Sequence, residues 1–196
     1  MHHQLLIFTS MEIKISAQQM LNVLYVLAWI IFIGLGIDAG GFIVNTFFTL
    51  FINPIGSSYF WNHIDLSSLY QFNQSHFVTL TSLISIVAVL KAILFYLIIK
   101  IIHDKKLNLT QPFNFNKDVN RFIFSVAYLT LGIALFAIWG TNFSEKMVQQ
   151  GVTIPSIQHL KIAGGDVWLL MGITLLVIAQ IFKRGIELQE ENELTV

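Results

Sequence analysis

Four stretches of the chain carry almost no charge, and polar segments separate them. They cover residues 20–52, 77–102, 122–140 and 167–182. A hydrocarbon core about 30 Å thick needs about 20 apolar residues as helix, within a range of about 17–25. The second and third stretches meet this directly. The fourth does so once Gly164, Gly165 and the stem of Lys183 are counted. The first is too long for one crossing and too short for two, so it is expected to tilt or to project from the bilayer. The pattern predicts an all-α membrane bundle of four transmembrane helices over about 20–42, 77–102, 122–140 and 164–183. The chain then forms a single membrane domain, with connecting loops at 53–76, 103–120 and 141–165 and a tail at 184–196.

Composition supports lipid as the solvent. Of the 196 residues 55% are hydrophobic and only 11% are charged, against about 25% charged in soluble domains. Net charge is zero, which argues against direct nucleic-acid binding. No cysteine is present, so disulfides, thiolate catalysis and Cys-based metal sites are excluded.

Lys and Arg fix the expected orientation. Lys14, Lys100, Lys105, Lys106, Lys117, Arg121, Lys183 and Arg184 fall on one side, Lys146 and Lys161 on the other. The positive-inside rule then places both termini and the 103–120 loop in the cytoplasm of a multi-pass inner-membrane protein. Lys14 before an apolar run resembles a signal peptide, but the run is too long and lacks a cleavage site. MHHQLLIFTS reads as an appendage before Met11, an alternative natural start to Met1.

The loop at 53–76 holds Tyr59, Phe60, Trp61, Tyr70 and Phe72 with Asp65 as its lone charge, and is expected to lie in the headgroup region as an aromatic belt. A substrate-binding cap is the sharper alternative. In the next loop Pro112–Phe113 predicts a turn, followed by Asn116 or Asp118 as helix cap. A short helix between Ser144 and Gln150 is expected within the loop at 141–165.

No catalytic signature is present: no HExxH, GxSxG, P-loop or nucleotide-binding glycine fingerprint. The protein is therefore not expected to be an enzyme, and no cofactor is implied. Gly36-x-x-x-Gly40, with Gly34 and Gly41, reads as a surface for close helix approach. The histidines His2, His3, His63, His76, His103 and His159 scatter over both sides of the membrane. His63, Asp65 and His76 share a loop and are read as solvated residues rather than zinc ligands.

Asp38 and Lys91 are the candidate intramembrane polar residues, and ionisable groups within spans are functional candidates by default. At about 1.5 Å per residue, Asp38 lies about 27 Å above Met20, near the outer edge. Lys91 lies about 21 Å below Phe77, toward the inner face. This register separates them, and the lysine stem would snorkel inward. Sliding the long first helix inward by two turns would level them. Asp38 is read as an outer-edge anchor.

The tail, IFKRGIELQEENELTV, is the most distinctive stretch. Lys183 and Glu187 are spaced to support a helix running out of the membrane. Phe182, Lys183, Arg184, Gly185, Leu188, Gln189, Glu191, Asn192, Leu194, Thr195 and Val196 match the closing motif of a bacterial family of four-span membrane proteins, number 2975 in the domain-of-unknown-function series. Pro112–Phe113 and Leu90–Lys91 also resemble it. The resemblance covers most of the chain from Met11 onward. It implies no activity, but implies a helix–turn–helix transcriptional regulator as a partner.

Two functions follow as expectations. The first is a regulatory or interaction protein of the cytoplasmic membrane. Its docking surface would draw on Lys183, Arg184, Gly185, Gln189, Glu191, Asn192 and Leu194, together with the 103–120 loop. The second is a small transporter or channel subunit that works as a homo-oligomer, with Asp38 and Lys91 lining a path. Membrane lipids are partners in either case.

Overall fold

The computed structural model of the chain describes residues 17–104 and 116–193. Met1, Met11, Pro112–Phe113 and the end of the tail from Leu194 lie outside these residues. Among the described residues five α-helices form: α1 Ala17–Phe51, α2 Ser67–Phe72, α3 Gln74–His103, α4 Lys117–Gln149 and α5 Gly165–Glu193. Four of them, all but α2, are long and apolar enough to cross a membrane. The protein is an all-α, multi-pass membrane protein with both described ends of the chain at one end of the bundle. That end is rich in Lys and Arg and is called the basic end below. The opposite end is called the capped end.

All four spans are longer than expected, for local reasons. Nothing interrupts α1 until Asn53–Pro54, where Asn53 accepts a hydrogen bond from the Ile55 amide and caps a 3-10 turn. Between Thr141 and Gln149 no breaker occurs, so α4 continues through the region where a separate short helix was expected. It ends before Gly151 at φ +85°. Asn116 is the cap expected for this helix, its side chain accepting from the Asp118 amide at 2.8 Å. Threonine and serine hydroxyls within the apolar helices bond back to carbonyls one turn earlier, for example Thr46 to Phe42, Thr81 to Phe77 and Ser144 to Gly140. Their polar atoms are thereby satisfied without water.

The long helices pack as an ordered row: α1 on α3, α3 on α4, α4 on α5. Tyr25 of α1 stacks on His103 of α3, and Phe32 lies 6.1 Å from Tyr96. The seven-residue step along α1 is thus matched by seven residues back along α3. At the far side of the row, Gly165 abuts Ile138 and Gly172 abuts Leu131. So α5 begins level with Ile138, while α4 runs on for eleven more residues, about 16 Å.

Above that level the two loops complete the buried core. Phe60, Ile64, Leu66 and Leu69 from the first loop, and Leu160 and Ile162 from the last, are fully buried against Phe42, Phe77, Leu80 and Met147. Phe60 stacks on Phe42 at 6.2 Å and meets Phe77 edge-on at 5.9 Å. The two loops also bond to each other, the Thr153 amide donating to Ser68 Oγ at 3.0 Å. This corrects the expected aromatic belt: Phe60 plugs the bundle, while Tyr59 and Phe72 remain exposed. Glu145 and Lys146 on the last turns of α4 are exposed, as expected where that helix leaves lipid.

Candidate functional site

The register between α1 and α3 decides what Asp38 can reach. Continuing six residues from Phe32 brings Asp38 level with Leu90, six residues before Tyr96. The level difference expected between Asp38 and Lys91 is therefore absent, because α1 begins beyond the end of α3, with His103 level with Tyr25. The two side chains nevertheless do not pair with each other.

Lys161 stands between them. Its ammonium lies 2.5 Å from Asp38 Oδ2, and its backbone carbonyl accepts a hydrogen bond from Lys91 Nζ at 2.9 Å. Trp61 Nε1 donates to Asp38 Oδ1 at 3.0 Å, and Asn62 Nδ2 donates to the same oxygen at 3.2 Å. One carboxylate thus gathers three donors, two from the loop after α1 and one from the loop before α5. Lys91 adds a contact with α5, its ammonium lying 5.6 Å from the centre of the Trp168 ring.

Each participant is placed by a local feature. Helical side chains lean toward the N-terminus of their helix. For α3 that is the capped end, so Lys91 points toward the loops and not toward the basic end as expected. Gly41 makes room for the indole: a Cβ there would stand 2.1 Å from Trp61 Cδ2. Asn62 and Lys161 both adopt left-handed backbone conformations, at φ +56° and +58°. Asn tolerates this region, whereas it is unusual for Lys. Backbone held in such conformations persists where surrounding contacts over-determine it, and here both residues are held through Asp38.

The expected outer-edge anchor is thus an organising ion pair beneath the cap. Pairing offsets the carboxylate's charge, and its side chain keeps only 19% exposure. Its net worth is moderate, because the Lys161 side chain remains 44% exposed. Removal of one partner costs more than the pair contributes, since the other charge and the Trp61 donor are left behind.

Other expected residues fall elsewhere. Gly34, Gly36 and Gly40 have no neighbour within 4 Å of an added Cβ. Among the described residues, only Gly41 of that group serves close approach, and its partner is an indole rather than a helix. Asp65 lies just before α2 and accepts from the Ser67 amide at 2.9 Å and its hydroxyl at 2.6 Å. His76 packs between Phe72 and Phe143. No group of three potential metal ligands occurs among the described residues.

At the basic end α5 continues unbroken past Lys183 to Glu193. Glu187 pairs with Arg184 at 3.1 Å, rather than with the expected Lys183. Lys117 at the start of α4 pairs with Glu190 and ties the extension to the bundle. Gly185, Gln189, Glu191 and Asn192 belong to this extension, with Leu188 exposed. No protein-family model, curated protein or solved structure matches the chain.

Proposed function

We propose that this chain is a regulatory or interaction protein of the cytoplasmic membrane that docks its partner on the charged extension of α5. The carrying observation is the continuity of that helix. It starts beside the Asp38–Lys161–Lys91 cluster, where Trp168 meets Lys91, and emerges 25 residues or so later at the Lys117–Glu190 pair. A change in the cap that shifts Lys161 acts directly on one end of this rod, and the docking surface occupies the other. The tail's resemblance to the bacterial four-span family makes a helix–turn–helix regulator the first partner to test. In this reading the protein carries no catalytic residue.

The test is affinity capture from membranes with the full chain and with a chain ending at Lys183. A partner retained only by the full chain supports docking on the extension. Identical partner sets overturn it. The second reading, an oligomeric transporter or channel, draws on Asp38 and Lys91 lying at one level. The closed bonding among Asp38, Lys161 and Lys91 weighs against it, and proteoliposome flux unchanged by Asp38→Asn removes its support.

A further inference from the structure

The basic end holds a second polar feature, separate from the cap. A groove of about 540 Å³ opens there between the first turns of α4 and the last turns of α5. Lys117, Arg121 and Lys183 line it, with Phe124, Tyr128 and Ile186. The order of these residues along the helix axis carries the argument. On α4 the cations Lys117 and Arg121 come first, and Phe124 and Tyr128 follow on the same stripe one to two turns deeper. On α5 Lys183 stands where the apolar run ends. The groove thus has a cationic mouth at the water boundary and an aromatic floor leading into lipid.

Among the described residues two of the three cations are not consumed by ion pairs. Glu187 faces the groove but is held by Arg184. Lys117 shares Glu190, while Arg121 and Lys183 have no ion pair among the described residues. Asn120 also lines the groove, and its Oδ1 is buried without a hydrogen-bond partner. Tyr128 is 62% exposed, so the floor is open to whatever lies alongside the helix pair.

We propose that this groove binds a phospholipid with an anionic headgroup. The phosphate sits between Arg121 and Lys183, and an acyl chain follows Phe124 and Tyr128. Arg offers a planar fork for phosphate oxygens and Lys a point charge. Basic recesses between membrane helices at the headgroup level suit such ligands. A free phosphate compound would use the mouth alone and leave the aromatic floor empty, so the amphipathic order favours a lipid. The groove borders the α5 extension, but lipid binding is read on the chain alone, with no docked partner.

The test uses the full chain in a mild neutral detergent, with native mass spectrometry counting bound lipid during titration with phosphatidylglycerol or phosphatidylcholine. Glycerol 3-phosphate, added at the same concentration, is the soluble competitor. Each cation near a lipid surface contributes about fivefold in affinity, so Arg121→Gln with Lys183→Gln is expected to weaken phosphatidylglycerol binding on the order of 30-fold. Phosphatidylcholine binding should not change, and Lys146→Gln at the capped end should leave both lipids unaffected. Unchanged thermal stability without added lipid shows that the double variant folds. Equal retention of the two lipids, an unchanged phosphatidylglycerol titration in the double variant, or displacement by glycerol 3-phosphate would each overturn the proposal.

Discussion

Replacing Gly41 by alanine adds one carbon where the cap has no space for it. The new Cβ would stand 2.1, 2.3 and 2.6 Å from Cδ2, Cε2 and Cε3 of Trp61. These are ring atoms of a rigid indole, so relief requires the whole ring to withdraw. Withdrawal breaks the 3.0 Å bond from Trp61 Nε1 to Asp38. Overpacking costs about 1–3 kcal/mol, and a lost hydrogen bond to a charged group about 1.5–3 kcal/mol. Better helix propensity returns about 1 kcal/mol. The net loss is about 2–4 kcal/mol, equivalent to a fall in Tm of about 5–15 °C for a chain of this size. Gly36→Ala is the matched control, because its added Cβ meets nothing within 4 Å; it is expected to be neutral or to gain up to about 1 kcal/mol. Thermal unfolding of both variants in the same detergent measures the difference. Equal changes of the same sign would refute the placement of Trp61 against Gly41.

Lys91→Met removes the bond to the Lys161 carbonyl and the contact with Trp168. It is expected to cost about 1–2 kcal/mol and to raise proteolysis in the 150–164 loop, which limited digestion measures. The absence of native cysteine makes single-cysteine labelling clean for orientation. Tyr59→Cys and Gln149→Cys should react with a membrane-impermeant maleimide from one side of the membrane, and Lys183→Cys only from the other. Labelling of all three from one side contradicts four crossings.

The spans were legible because lipid demands length and neutrality, and both can be counted along a sequence. Their ends were less so. Residues 43–51 lie beyond the expected first span yet stay helical, since nothing stops α1 before Asn53–Pro54. Residues 141–149 follow the same logic on α4. The loop packing is hidden from the sequence for a different reason. Phe60 and Tyr59 are neighbours of like composition, and only the turn at Trp61–His63, with Asn62 and His63 at positive φ, sends one inward and the other out. Asp38 was recognised as unusual, but its partner was not. Lys161 lies 123 residues away, on the loop at 141–165, for which the sequence predicts no contact with α1. A pattern of lone charges could suggest that Lys161 needs a partner, but not that the loop descends to find it. The direction of Lys91 was available in principle, from the N-terminus of α3 beside the 53–76 loop and the backward lean of helical side chains.

Asp38 and Lys161 act together to hold both loops at the capped end. A double-mutant cycle with Asp38→Asn and Lys161→Met tests this most directly, read by thermal or denaturant unfolding in one detergent. Asp38→Asn keeps an acceptor for Trp61, so the cycle isolates the charge pair. Each single variant is expected to lose stability, and the double variant to lose less than their sum by about 1 kcal/mol. Losses that add within about 0.3–0.5 kcal/mol would mean that the two residues act independently, and the ion pair would then not be what holds the cap.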